Sequence, residues 1–195
     1  MSKASRQTRL NDQYWKAEIQ KAQLGDNIAN HMAFIFMETL YDKFDLSFKQ
    51  LNNFYDRVIA RRKAWQDDSN GNVTTTQLYE YCMKQRIDVI EWVKSIPMSQ
   101  KLYMADLKKG RAVLGADKNI ESALASTMYL TIPTLKKTYR FNNADVTEFM
   151  RWTKYFIDSY CRKQPGCKEH YLSDEMIRQL FIEEEHWDVM EGVAV

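Results

Sequence analysis

The sequence predicts an all-α protein, a helical bundle of about 7–9 helices. Three observations carry that prediction. Helix breakers are scarce, with 6 Gly and 3 Pro in 195 residues, which argues against turn-rich β architectures. Good helix formers, 10 Met among them, fill much of the remainder. Apolar residues make up 45% of the chain, enough to bury roughly 70% of the surface the unfolded form exposes, and they recur at helical spacing between polar capping clusters.

The first helix is expected from Asn11 to Leu24, capped by Asn11 or Asp12 and closed by a left-handed Gly25. Asp26 then caps a second helix ending near Phe44, with an apolar stripe of Ile28, Met32, Ile35, Phe36 and Leu40. Ser47 and Gln50 form a capping box for a third, whose inward positions are Leu51, Phe54, Val58 and Trp65. The polar run 67–72 is a loop. Thr74 with Gln77 opens a helix through Leu78, Tyr81, Cys82 and Ile87 that extends to Val93 before Pro97 stops it. Ser99 caps a short helix closing at Gly110. A long helix from Ser122 to Tyr139 contains Pro133, whose missing N–H predicts a kink.

The second half resembles the first. A shift of 95 residues places Leu40 on Leu135, Phe44 on Tyr139, Leu46 on Phe141, Leu51 on Val146 and Phe54 on Phe149. An internal repeat giving two similar helical subdomains explains this, and so does convergent patterning of two amphipathic hairpins; both readings stay open. The expected units are 1–95, a connection over 96–117, and 118–195 with an acidic end.

The net charge of +2 conceals a gradient. Residues 169–195 set eight carboxylates against Arg178 alone, a net −7, so residues 1–168 carry +9. Such a distribution fits nucleic-acid contact, an acidic partner, or local charge pairing. The N-terminus reads as polar and basic, and the longest apolar run, Met32–Met37, is too short to span a bilayer. With three Cys, an odd number, the expected setting is the reducing cytoplasm of a host cell, with no membrane partner.

Nothing names a reaction, and no enzyme activity or cofactor is expected. Phosphate-loop and nucleophile-elbow motifs are missing from the sequence. Cys161, Cys167 and His170, with His186 as a fourth ligand, have a looser spacing than structural zinc sites use, so no metal is expected. Glu183 and His186 make a single E-x-x-H pair, where a helical di-iron site needs two. His31 lies beside an apolar stripe and reads as a partly buried structural histidine.

The chemistry-bearing candidates are basic residues interleaved with aromatics. Arg57, Arg61, Arg62 and Lys63 share one helix with Trp65, and Lys136, Lys137 and Arg140 occupy the corresponding part of the second half. Lys108, Lys109 and Arg111 lie between. Clusters of this kind attract phosphate backbones through counterion release, and aromatics stack on unpaired bases. Cations near helix C-termini also complement the helix dipole without any ligand. Trp15, Trp65, Trp92, Trp152 and Trp187 either fill the core or build an isologous homodimer interface.

The stretch Arg9-Leu10-Asn11-Asp12-Gln13-Tyr14-Trp15-Lys16, then Leu40-Tyr41-Asp42-Lys43-Phe44, then Ser47-Phe48-Lys49-Gln50-Leu51, resembles a class of small helical proteins of phages and prophages of Gram-positive bacteria. That class carries an N-terminal "YW" helix and a glycine-containing "LxDKFGFGxKRL"-like turn, where this chain has Asp45-Leu46-Ser47-Phe48. The resemblance covers about residues 9–90 and more weakly 118–181. It implies a non-enzymatic accessory protein of a mobile element that acts by binding. The expected partner is a host defence protein or its nucleoprotein complex, as for an anti-CRISPR inhibitor. A replication or transcription accessory protein that binds DNA or RNA is the alternative.

Overall fold

The computed structural model describes residues 3–66, 75–105 and 116–161. Their regular structure is entirely helical: α1 (Lys3–Phe44), α2 (Phe48–Gln66), α3 (Thr75–Lys84), α4 (Val89–Lys94), α5 (Met98–Met104), α6 (Ala116–Thr138) and α7 (Asn143–Cys161). The all-α prediction holds. Its first two helices, however, are one. Gly25 does not take the left-handed turn, and α1 runs through it as a helix of 42 residues. One glycine in a helix interior costs only about 1 kcal/mol, which the burial of Ile28, Met32, Ile35, Phe36 and Leu40 beyond it outweighs.

The opposite error falls on α3. The expected extension to Val93 is interrupted after Lys84, where Arg86 adopts φ 58°. The Ile87 N–H then bonds back to the Cys82 carbonyl at 3.0 Å, the bond that closes a Schellman turn. Asp88 restarts the chain as the cap of α4, its carboxylate accepting the Glu91 N–H at 2.9 Å. The helix that follows opens at Pro97, without a side-chain cap, and Ser99 lies inside it. Pro133 sits buried within α6, whose start at Ala116 lies before the expected Ser122.

The hairpins α1–α2 and α6–α7 are built alike at the 95-residue shift. Asp45 (φ 53°) and Arg140 (φ 58°) end the long helices in the left-handed region. The Leu46 N–H bonds to the Leu40 carbonyl at 3.2 Å, and the Phe141 N–H to that of Leu135 at 3.3 Å. At the next helix start, the Ser47 N–H donates to Gln50 and the Asn142 N–H to Asp145, each at 2.8 Å. Inside the long helices, Thr39 and Thr134 return their hydroxyls to the Ile35 and Leu130 carbonyls. The packing is reciprocal too. Phe54 meets Tyr139 at 6.2 Å between ring centres, and the shifted pair Phe149 and Phe44 meets at 6.3 Å.

One core serves both hairpins. Phe36, Phe54, Phe149, Leu40, Leu51 and Leu124 are among its fully buried side chains. The short helices α3 and α4 lie against α6, and α5 lies against α7, α1 and α6. Trp92 pins α4 to α7, its indole N–H donating to the Met150 carbonyl at 2.8 Å. No helix among the described residues is long and apolar enough to cross a membrane.

Candidate functional site

The eight sequence candidates do not converge on one place. On a helix of about 3.6 residues per turn, Arg57 and Arg61 fall on one flank of the inward stripe Leu51, Phe54, Val58 and Trp65, and Arg62 falls on the other. Arg62 accordingly reaches across to α1 and pairs with Asp26. It joins Trp65 in lining a cleft of about 420 Å³ between α1, α2 and α6. That cleft exists because its α1 and α6 walls carry Ala22, Gly25, Ala29, Ala33, Ser122 and Ala123, leaving space between the helices. Lys63, on the solvent side, is exposed.

The other flank is a basic seam between α2, α3 and the end of α6. The Arg57 Nε donates to Asn53 at 2.6 Å, and the Arg57 charge partly offsets the burial that raises the Tyr139 pKa. The Tyr139 hydroxyl itself donates to the Gln50 carbonyl at 2.6 Å. Arg61 is half-buried, and desolvation pushes its pKa down, with Tyr81 on α3 acting the opposite way. Its Nε is buried without a hydrogen-bond partner, and Arg61 has no ion pair among the described residues. Lys136 donates to Asn143, whose amide donates onward to the Gln85 carbonyl at 2.9 Å. Lys136 is also close enough to Cys82 to oppose the burial that lifts that thiol to about 11. Lys137 and Arg140 are exposed.

Sequence reading missed Lys84 and Arg86, the exposed basic residues flanking Gln85 at the end of α3. The missed signal was the helix end itself. With α3 taken as continuous to Val93, nothing distinguished these two from any exposed helical cation. Lys108, Lys109 and Arg111 lie outside the described residues, as do Cys167, His170, Glu183, His186 and Trp187. Cys161 is a free thiol raised to about 12, mainly by burial. Among the described residues no group of three or more His, Cys, Asp or Glu could hold a metal ion.

Other titratable groups sit in structural settings. His31 Nδ1 lies 2.9 Å from the Tyr160 hydroxyl, joining α1 to α7. Lys101, 2% exposed, pairs with Glu121 at 2.7 Å, joining α5 to α6. Glu38 is buried at 6% exposure, and burial first, then the Asp42 charge, raises its carboxyl to about 7.

Fold and seam together define a class: an all-α bundle of two reciprocally packed hairpins with a cationic seam along one edge. Comparison with protein-family models, curated proteins and solved structures returned no match.

Proposed function

We propose that this protein acts by binding, without chemistry of its own, and that the α2–α3–α6 seam is the surface it uses. The ligand is the phosphate backbone of a nucleic acid, presented in a nucleoprotein complex of the host's defence. The observation that carries this reading is Arg61, a partly desolvated guanidinium with no anion beside it. Burying a cation without a partner is costly; a bound phosphate removes that cost. Backbone strain points the same way. Of the three non-glycine residues at positive φ among the described residues, two are exposed arginines at the ends of the helices that border the seam, Arg86 after α3 and Arg140 after α6. Glycine is the default at such positions, and strained residues cluster at functional sites. The phage resemblance supplies the defence context.

An accessory protein of replication or transcription would hold bare DNA or RNA through the same seam. Fluorescence anisotropy on labelled single- and double-stranded oligonucleotides separates the readings, alongside pull-downs of purified RNA-guided nucleases with and without their guide. Engaging the five cations Arg57, Arg61, Arg86, Lys136 and Arg140 on a duplex gives a log–log salt slope of about −4.5. The binding reading fails if neither oligonucleotide nor nucleoprotein is retained at low salt. Retention of bare oligonucleotide at equal affinity favours the accessory role.

A further inference from the structure

We propose that Arg61 seats one backbone phosphate end-on across its two terminal nitrogens, with Arg57 and Lys136 taking the neighbouring charge, so that the seam is a defined phosphodiester seat and not a diffusely attractive patch. The inference rests on the reading of the seam as a phosphate-binding surface and specifies which group does the seating.

The geometry is that of a prepared donor. The Arg61 Nε is covered and bonds to nothing. The two terminal nitrogens are not among the buried atoms, so they reach solvent, and no partner holds them among the described residues. A packed stem with an open, planar end presents two parallel N–H donors, the fork that matches two oxygens of a phosphate. Side-chain ordering is a main cost of binding a rotamer-rich residue, and here the fold has already met it.

Arg57 stands one turn away on α2, about 6 Å along the axis, and is held to its own helix by Asn53. Lys136 is held from the other side by Asn143, which ties α6 to the end of α3 through Gln85. Three cations fixed by neutral amides or by packing keep their full charge for a ligand. Arg62 is the internal contrast, because Asp26 already neutralises it. A single carboxylate from a protein partner would leave most of this charge uncompensated, whereas a nucleic-acid strand brings consecutive phosphates. The chemistry therefore favours a phosphodiester over an acidic peptide.

The test has two arms. In the first, the buried Arg61 Nε–H is followed by nitrogen-15 NMR in the unmodified protein. Inorganic phosphate is titrated against acetate and chloride at equal ionic strength. A saturable shift with phosphate alone is expected. A response shared with chloride overturns the seat, and an equal response to acetate overturns it in favour of an acidic protein partner. In the second arm, Arg61→Lys keeps the charge and removes the fork. Oligonucleotide affinity is expected to fall about tenfold with the salt slope unchanged, whereas Arg62→Lys changes affinity less than about twofold. Unchanged affinity in Arg61→Lys overturns the seat while leaving the seam's binding role standing. If the unmodified protein binds no oligonucleotide yet shows the phosphate shift, the seat stands and the nucleic-acid reading falls. Should Arg61→Lys fail to fold by circular dichroism, the first arm decides alone.

Discussion

Glu38 offers the most quantitative test of the packing. Its carboxyl lies on α1 at 6% exposure and titrates at about 7 in the folded protein, against 4.5 when exposed, with desolvation the main cause and Asp42 the second. Below about pH 4.5 both folded and unfolded chains hold the proton, and the group has no pH-dependent effect. Between 4.5 and 7 the unfolded chain releases it while the folded chain retains it, so stability falls as pH rises. Above 7 the loss is complete. The difference of about 2.5 pH units corresponds to roughly 3 kcal/mol. Glu38→Gln has no proton to lose. It should match the parent near pH 4.5 and become more stable by up to about 3 kcal/mol at pH 8, the gap opening by about 1.4 kcal/mol per pH unit in between. Urea unfolding followed by circular dichroism at several pH values reads this directly. Adding Asp42→Asn should move the window to lower pH. A gap that is constant with pH would refute the burial of an ionisable carboxyl here.

Arg140→Gly and Arg86→Gly relieve a left-handed backbone and should each stabilise the fold by about 0.5–1 kcal/mol while weakening oligonucleotide binding, measured by urea unfolding and anisotropy on the same samples. Asp45→Gly, at the matching turn of the first hairpin, should stabilise comparably and leave binding unchanged. Glu121→Gln strands the Lys101 ammonium at 2% exposure and should cost about 3–5 kcal/mol, whereas Lys101→Met with Glu121→Gln should recover most of that loss. Trp92→Phe removes the indole bond to Met150 and should cost about 0.5–1.5 kcal/mol, the net worth of one hydrogen bond, since the Met150 carbonyl keeps its place in the ladder of α7.

How much of this was legible depended on whether the relevant physics is local. The Ser47–Gln50 box, the stripe on α1 and the 95-residue correspondence are set by residues close in sequence, and each could be read there. Gly25 misled because its local preference for a turn was overruled by the burial of Ile28, Met32, Ile35, Phe36 and Leu40 beyond it, on a helix that packs against α6 and α7, partners far along the chain. The end of α3 misled in the opposite sense. Arg86 is no usual left-handed residue, and only the packing of Ile87 and Val89 into the core fixes the break there. Arg57 to Lys63 looked like one cluster because they are adjacent in sequence. In the helix they diverge, and only the position of Asp26 reveals that Arg62 is spoken for.

The likeness of the two hairpins also sharpens where function lies. At the 95-residue shift, Arg61 corresponds to Phe156 and Arg57 to Trp152. Phe156 is buried at 7%, on a helix that α5 lies against. Packing thus demands an apolar residue at that position of α7, and the shared architecture alone would ask for one on α2. The first hairpin carries arginine instead and accepts the desolvation of Arg61. The same contrast recurs at the turns, where Arg140 stands opposite Asp45, and at the helix ends, where Lys136 stands opposite Tyr41. At Arg57, Arg61, Lys136 and Arg140 the two hairpins share a position, yet only one of each pair is a cation, a difference that the shared packing does not require. The anionic ligand proposed for that edge would account for it. Exchanging Arg57 and Arg61 for Trp and Phe should then preserve the helical fold by circular dichroism and abolish retention of oligonucleotide; retained binding would place the ligand surface elsewhere.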